Sequence, residues 1–416
     1  MRSPSPAPSN SVTLHPTTSM QASLVVVMLS LLLGLQPITT DLYLPALPAL
    51  TAGFGAPMSQ AQLTLTALLL AFGVSQLVWG SLSDRFGRKP ILLIGLSAYV
   101  IASIGSALAG SMAMLIVWRA VQGAAMGAGV MCARAILRDL YAPAEGARVM
   151  SKAQTGLGII ACMSAPLGGL LSDLFNWRMA LLALAVFGAS ALALMTLRYR
   201  ETAISKNPRA LEPLTLMRNW GVVLRHPTFW TFSLLSGASY GGLFTFLASS
   251  SFVFIDVLGL SKTQYGLLMF SMSLAYISGT VLCRRLLPRF GVRHAVAIAG
   301  VLTLSGGTTL GVLAMLGLHT HWLTLLGPFC LFMLGHGVHQ PCGQSGAVGP
   351  FPQTAGVAAA LNGFFMMLIA FAVGTWLGTH MDGTVRPLAY GVWFWSVVIS
   401  GCAWTLVQRY GRASDH

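Results

Sequence analysis

The sharpest chemical feature of this sequence is an arginine inside an apolar stretch. Arg119 stands in Leu115-x-x-x-Arg119-x-x-Gln122-Gly123, with no acid between Asp84 and Asp139. A guanidinium keeps its charge at any physiological pH, so it must face a polar cavity or a partner. Asp41, in Asp41-Leu42-Tyr43-Leu44-Pro45, closes another apolar stretch and falls at a comparable depth. Burial and a neighbouring arginine pull a carboxyl's proton affinity in opposite directions. Asp41 beside Arg119 is therefore a candidate to bind and release a proton as its surroundings change. Asp256 is a second, weaker acid candidate. His336 and His339 lie in Gly335-His336-Gly337-Val338-His339-Gln340-Pro341, and histidine titrates near neutrality. A hydrogen-bonded structural role is the preferred reading of both; Tyr240, Phe244 and Phe246 are candidates to line an apolar site, with ordinary packing the preferred reading of each.

Other chemistries find no support. The sequence has no GxxxxGK[ST] phosphate loop and no HExxH metal pair. Its ten acids sit almost entirely in loops or at the ends of apolar runs, which leaves paired-carboxylate catalysis without groups. The expectation is a protein that is not an enzyme. Cys132, Cys162, Cys283, Cys330, Cys342 and Cys402 form no CxxC pair. They predict neither a disulfide framework nor a metal site, and read as small apolar filler. The net charge of +14 suggests nucleic acid at first sight. The basic residues are dispersed in short loops and make no continuous patch, so nucleic acid is not expected as a partner.

The elements that must position these residues follow from composition. The 416 residues are 55% hydrophobic and 8% charged, against about 25% charged in a soluble domain. Lipid is the solvent that suits such a chain. The 45 glycines fit close helix packing in a bilayer. Residues 1–20, rich in Ser, Pro and Thr, predict a disordered tail. The run at about 21–41 lacks a basic leader and a small-residue cleavage site, so it is read as the first span. Spans follow at about 60–82, 90–110, 112–136, 148–172 and 178–198. After a basic linker at 199–226 come six more, at about 227–256, 262–283, 291–316, 321–345, 354–379 and 388–408. The predicted fold is an all-α integral membrane protein of about twelve spans. An N-terminal six-helix bundle covers 21–198, and a C-terminal bundle with a short tail covers 227–416. With the N-terminus placed inside, 20 of the 24 basic residues fall in inside segments and three in outside loops. That bias predicts both termini on the cytoplasmic side.

The halves echo each other. Asp84-Arg85-Phe86-Gly87-Arg88-Lys89 follows the second span, and Pro288-Arg289-Phe290-Gly291-Val292-Arg293 follows the eighth, 204 positions later. Equivalent turns at half-chain spacing point to a duplicated six-helix unit, an organisation frequent in secondary transporters.

These residues now match a family. Gly80-Ser81-Leu82-Ser83-Asp84-Arg85-Phe86-Gly87-Arg88-Lys89-Pro90 resembles the signature between helices two and three of the major facilitator superfamily. Arg119-x-x-Gln122-Gly123 is similar to the fourth-helix motif of its proton-coupled members. Asp41-x-Tyr43-x-Pro45-x-x-Pro48, Arg134-Ala-x-x-Arg138-Asp139-Leu140-Tyr141 and Gly349-Pro350-Phe351-Pro352 point further. Together they resemble the bicyclomycin/chloramphenicol resistance (Bcr/CflA) branch of bacterial drug:proton antiporters, over about residues 21–410.

The resemblance implies two six-helix bundles related by a pseudo-two-fold axis. It implies alternating access and multidrug efflux of small amphipathic compounds. Transport would be driven by the proton gradient without a cofactor, by a functional monomer in the lipid of a bacterial inner membrane. Asp41 and Arg119 would serve proton coupling and substrate response. Spans one, four, seven and ten would line the substrate cavity, which assigns Gln36, Tyr43, Gln122, Tyr240, Phe244, His336 and Gln340 to it. Conformational gating would fall to Gly80, Asp84, Arg85, Gly87, Arg88 and Arg138, with Asp84 at the cytoplasmic start of the eleventh span. Pro166, Gly168 and Gly169 join them, although the fifth-helix antiporter signature is altered. It reads Ala165-Pro166-Leu167-Gly168-Gly169, one residue short and with Ala for the leading Gly. No acid stands midway along the first span, where Leu33 and Gln36 lie, so a two-carboxylate scheme is not offered. The competing readings are a proton-coupled uptake symporter of the same fold, and a membrane receptor or scaffold that moves no solute.

Overall fold

In hydrocarbon every backbone N–H and C=O must find a partner within the chain, and a helix supplies one locally. The computed structural model describes residues 21–141, 143–203, 212–318 and 321–411, and its apolar runs are helices. In chain order these are α1 (Ala22–Asp41), α2 (Leu47–Phe54), α3 (Met58–Phe86), α4 (Arg88–Ala107), α5 (Met112–Leu140), α6 (Pro143–Leu174) and α7 (Trp177–Arg198). Then follow α8 (Pro213–Leu224), α9 (Pro227–Ser251), α10 (Lys262–Met315), α11 (Trp322–Val348), α12 (Ala355–His380), α13 (Arg386–Trp404) and α14 (Leu406–Tyr410). No strand occurs among the described residues. The tail expected over 1–20 lies outside them.

Among the described residues eleven helical stretches are long and apolar enough to cross a membrane, and one of them counts twice. The 54 residues of α10 would run about 81 Å as a single rod, against a hydrocarbon core of about 30 Å. Gly291 breaks the rod with φ 68°, leaving arms over 262–290 and 292–315. Gly87, 204 positions earlier, separates α3 from α4 with φ 106°. Both values are left-handed and strain any residue with a Cβ. The basic turn repeated in the sequence is thus a repeated backbone device.

α1 and α3 to α7 pack as one bundle, and α9 to α13 as the other. Between the bundles α3 runs against α12, and α6 against the first arm of α10. Close approach depends on residues without side chains. A Cβ on Gly123 of α5 would collide with the backbone carbonyl of Leu68, and one on Gly168 of α6 with that of Leu42. Part of the segment expected as a linker is helical, since α8 occupies 213–224 and touches α9 and α12.

Most of the described basic residues gather at one end of the bundles, here termed the basic end. There Glu201, just past α7, accepts the backbone N–H groups of Arg88 and Lys89 at 3.0 Å each. It thereby caps the start of α4 from another element. Lys89 returns the favour, with Nζ donating to the Tyr199 carbonyl at 2.7 Å. Burial pushes the Glu201 carboxyl up, but its backbone N–H donors outweigh burial and hold it below the usual carboxylate range.

Two outcomes follow for stability. Gly123→Val forces α5 off α3, where overpacking costs about 1–3 kcal/mol. It should lower the thermal unfolding midpoint in detergent, while Gly401→Ala, with open space at its Cβ position, should not. The depressed Glu201 pKa makes its contribution complete above the ordinary carboxylate pKa of about 4.3 and lost as pH falls through the lowered value. The midpoint difference between wild type and Glu201→Gln should accordingly shrink on acidification below about pH 4.

Candidate functional site

α1 ends at Asp41, so the carbonyls of its last turn lose their helical donors. The Leu42 N–H still reaches Ile38 O. Thr39 O is met instead by Arg119 of α5, whose Nη2 donates to it at 3.1 Å. A cation at a helix C-terminus is favoured by the dipole. Arg119 is fully buried. Its Nη1 donates to Gln122 Oε1 at 2.6 Å, and its guanidinium lies 4.3 Å from the centroid of the Tyr43 ring. A desolvated cation–π contact contributes about 2 kcal/mol, offsetting part of the several kcal/mol that burial of an ion costs. Nε has no hydrogen-bond partner.

The neighbours of Arg119 continue the network. Gln122 Nε2 donates to Ser103 Oγ at 2.7 Å, and Ser103 Oγ donates to the Tyr99 carbonyl at 2.7 Å. Tyr99 OH and Thr39 Oγ1 are 2.6 Å apart, and Tyr43 OH and Thr64 Oγ1 3.0 Å. All these groups belong to the first bundle. Thr39, Thr64, Tyr99 and Ser103 carry no signal in the sequence, because hydroxyls at such spacing are common and their partners are far along the chain. Tyr43 and Gln122, assigned by the resemblance to the substrate cavity, are fully buried within this network, and among the described residues their hydrogen bonds stay inside the first bundle.

Asp41 is not part of it. The expectation that Asp41 and Arg119 bias each other is corrected by the turn of the helix. Residues 39 and 41 project on opposite sides of α1, and Arg119 takes the Thr39 side. The Asp41 carboxylate accepts a hydrogen bond from Thr40 Oγ1 at 2.8 Å. It lies within electrostatic reach of Cys162 in α6, Tyr240 in α9 and Tyr265 in α10. A carboxylate thus faces the second bundle and a guanidinium stays within the first; among the described residues neither has an ion-pair partner.

Gln36 and Tyr240 meet across the bundles, with Gln36 Nε2 donating to Tyr240 OH at 3.4 Å. They stand 204 positions apart, the offset of the two glycine turns, so they are equivalents of one another on α1 and α9. Phe244 lies parallel to Tyr240, with centroids 6.4 Å apart. Phe246 is stacked on Phe329 at 3.7 Å and is core. In α11, His336 Nδ1 is 2.8 Å from Ser239 Oγ, His339 Nε2 is 3.2 Å from Thr303 Oγ1, and Gln340 Nε2 donates to Ser236 O at 3.1 Å. Each is a buried side chain bonded inside the second bundle. Asp256 is exposed in a π-helical turn beyond α9.

At the basic end Arg88 donates to Asp84 at 2.6 Å, to Asp139 at 2.9 Å and to Ser83 at 2.9 Å. Arg138 stands 3.8 Å from Asp84. Asp84 is taken up by two guanidinium groups, and one of them, Arg138, also stands beside Gly356 at the start of α12. Arg85 is exposed over the ring of Phe86, outside the ion pairs. Asp139 and Glu201 are the members that sequence reasoning missed. Gly80 lies against Met131 of α5, and Pro166, Gly168 and Gly169 lie on α6 where it meets α1 and α10.

The hydrogen bonds joining the two bundles, among the described residues, run from the Gln36–Tyr240 contact toward the end opposite the basic turns. Gln62 Nε2 donates to Ala248 O at 2.6 Å, and Asp173 of α6 accepts from Thr263 of α10 at 2.7 Å. The bundles are therefore tied at that end.

Comparison with known proteins agrees with this architecture. The family model described as Major Facilitator Superfamily matches residues 29–409. Multidrug resistance protein D of Escherichia coli (strain K12) is 30% identical over 339 residues, 82% of this chain and 84% of that protein. The bicyclomycin resistance protein homolog of Haemophilus influenzae is 28% identical over 371 residues, 88% of this chain and 91% of that protein. The crystal structure of a D-xylose-proton symporter superposes with a TM-score of 0.73, covering 94% of this chain and 98% of that one. At 17% identity that likeness is one of fold. With a family match across almost the whole helical region, and the fold to go with it, this chain belongs to the Major Facilitator Superfamily and is a multi-pass membrane transporter.

Proposed function

We propose that this transporter exports small amphipathic drugs in exchange for protons, by alternating access of its two bundles. It would reside as a functional monomer in a bacterial cytoplasmic membrane with both termini inside. The single observation that carries the reading is the division of charge. Arg119 is locked inside the first bundle, while Asp41, two residues from the carbonyl that Arg119 grips, faces the second bundle without a cation. A carboxylate so placed stands at the boundary that must open and close, and a proton can neutralise it there. Arg119 holds the end of α1, so a change at Asp41 is transmitted to the bundle through one helix turn. Neutral and weakly charged compounds suit an inter-bundle region whose side chains, Gln36, Tyr240 and Phe244, are uncharged. The names of the relatives, a multidrug resistance protein and a bicyclomycin resistance protein homolog, favour drugs as the cargo. The basic end would be cytoplasmic by its charge, which makes the present arrangement closed toward the outside.

The test is accumulation of chloramphenicol and of a fluorescent cationic dye in cells, with and without a protonophore. Wild type should lower accumulation, and the protonophore should abolish the difference. Arg119→Ala should cut export at least about tenfold, equivalent to about 1.4 kcal/mol in the limiting step. Higher accumulation in wild type would turn the reading to uptake, and no flux of any compound would turn it to a receptor.

Asp41→Asn keeps size and polarity but cannot ionise. In proteoliposomes it should retain exchange of a neutral drug down its gradient and lose uphill transport driven by a pH gradient. Full pH-driven activity in that variant would remove Asp41 from the coupling.

A further inference from the structure

At the end opposite the basic turns, two helix ends from different bundles complete one another. Asp173 stands in the last turn of α6, where the dipole disfavours a negative charge. Its carboxylate reaches instead to the first turn of α10, where a negative charge is favoured. There Oδ2 accepts from Thr263 N at 2.7 Å and from Thr263 Oγ1 at 2.7 Å. Ser261 already caps the same helix through a reciprocal box with Gln264, so Asp173 is a second cap, supplied by the other bundle. The exchange is mutual. Lys262 Nζ donates to the Ser172 carbonyl of α6 at 3.0 Å and stands 3.9 Å from Asp173 Oδ1. Beneath these groups the backbones touch: a Cβ on Gly169 would collide with the Lys262 carbonyl, and one on Gly266 would come within 2.6 Å of the Ala165 carbonyl.

The repeat supplies a control within the molecule. At the offset of 204, Thr263 corresponds to Ser59 of α3, which meets Gly378 of α12 across the other seam between the bundles. That seam carries no charged pair among its described contacts. It is continuous toward the basic end, from Ser59 at Gly378 through Gly73 at Met367 to Gln76 at Gly363. The α6–α10 seam differs. Toward the basic end no hydrogen bond joins it among the described residues. Gly158 has nothing within 4 Å of its Cβ position, and Lys152 and Gln154 are exposed. Charges are thus added to one of two equivalent joints, the one whose contact is confined to a single end.

We propose that Asp173, Lys262 and Thr263 form a clasp between the bundles that sets the equilibrium between the two access states. The proposal rests on the alternating-access reading above. Asp173 acts as a positioning residue: it touches no cargo, and opening at this end must pull its carboxylate off the start of α10 and Lys262 off the end of α6. Water can replace both partners at this exposed rim, so the clasp biases the states without locking them.

The experiment is a distance measurement by pulsed electron resonance on the full chain in liposomes. In a background with the native cysteines replaced, spin labels at Leu108 and Leu318, both exposed beyond helix ends on the clasp side, report opening there. Asp173→Asn should raise the long-distance population several-fold over the parent, and Asp173→Glu should restore the parent distribution. Lys262→Gln should act in the same direction as Asp173→Asn, which guards against a fault peculiar to one variant. Parent-like distributions in both neutral variants would overturn the proposal, as would equal opening in the Glu variant. The readout needs neither drug nor gradient, so failure of the drug-export reading would leave it standing, and failure here would leave drug export untouched.

Discussion

A charge that cannot be shed is buried where no opposite charge meets it, and the first bundle is organised around that fact. Arg119 is held by one carbonyl, one amide oxygen and one aromatic face. The carbonyl is free because α1 stops at Asp41, the amide belongs to Gln122 one turn along α5, and the ring belongs to Tyr43 just past the stop. Termination of α1, the short approach of α5 to α3 at Gly123, and the buried hydroxyls from Thr39 to Ser103 thus serve one requirement. Without the guanidinium the end of α1 would lose its cap, and without that end the guanidinium would lose its acceptor. This mutual dependence is what gives α1 and α5 a fixed relation while the rest of the interior is held mainly by apolar packing.

The second theme is symmetry in the backbone and asymmetry in the chemistry. Gly87 and Gly291 turn the chain in equivalent places, Gln36 and Tyr240 meet as equivalents, and Ser59 and Thr263 occupy equivalent helix starts. The side chains at these places have diverged. Arg88 gathers Asp84 and Asp139 in the first half, while Val292 stands at the corresponding position in the second. The second half carries buried histidines bonded to hydroxyls in α11, and the first a buried arginine in α5. A duplicated scaffold permits this, because helix packing depends on shape and small residues, whereas charges can be placed on one copy alone.

The charged contacts also divide by position. Those at the basic end, among Arg88, Asp84, Asp139 and Arg138, are made within the first bundle. The contact of Asp173 with Lys262 and Thr263 crosses between bundles. Among the described residues the ion pairs therefore cross between the bundles at one end and stay within the first bundle at the other. An asymmetry of that kind is what two states of a rocking pair require, since contacts that cross must break in one of them.

By itself the sequence determined the class of fold, because hydropathy and loop charge are local quantities: the apolar runs, the glycine turns and the half-chain offset are read without knowing what touches what. It also singled out Arg119 and Asp41, since an ionisable group in an apolar run is conspicuous by itself. Tertiary structure alone decided their partners. Asp41 and Arg119 stand at similar depth yet face opposite sides of α1, a matter of helical phase across two elements. Asp139 is one letter of a motif along the chain, and Glu201 and Asp173 read as ordinary loop-end acids; the partners of the three come from other helices, 51, 113 and 90 positions away. A one-dimensional pattern carries burial and period, but the direction in which a side chain finds its partner exists only once the helices have packed.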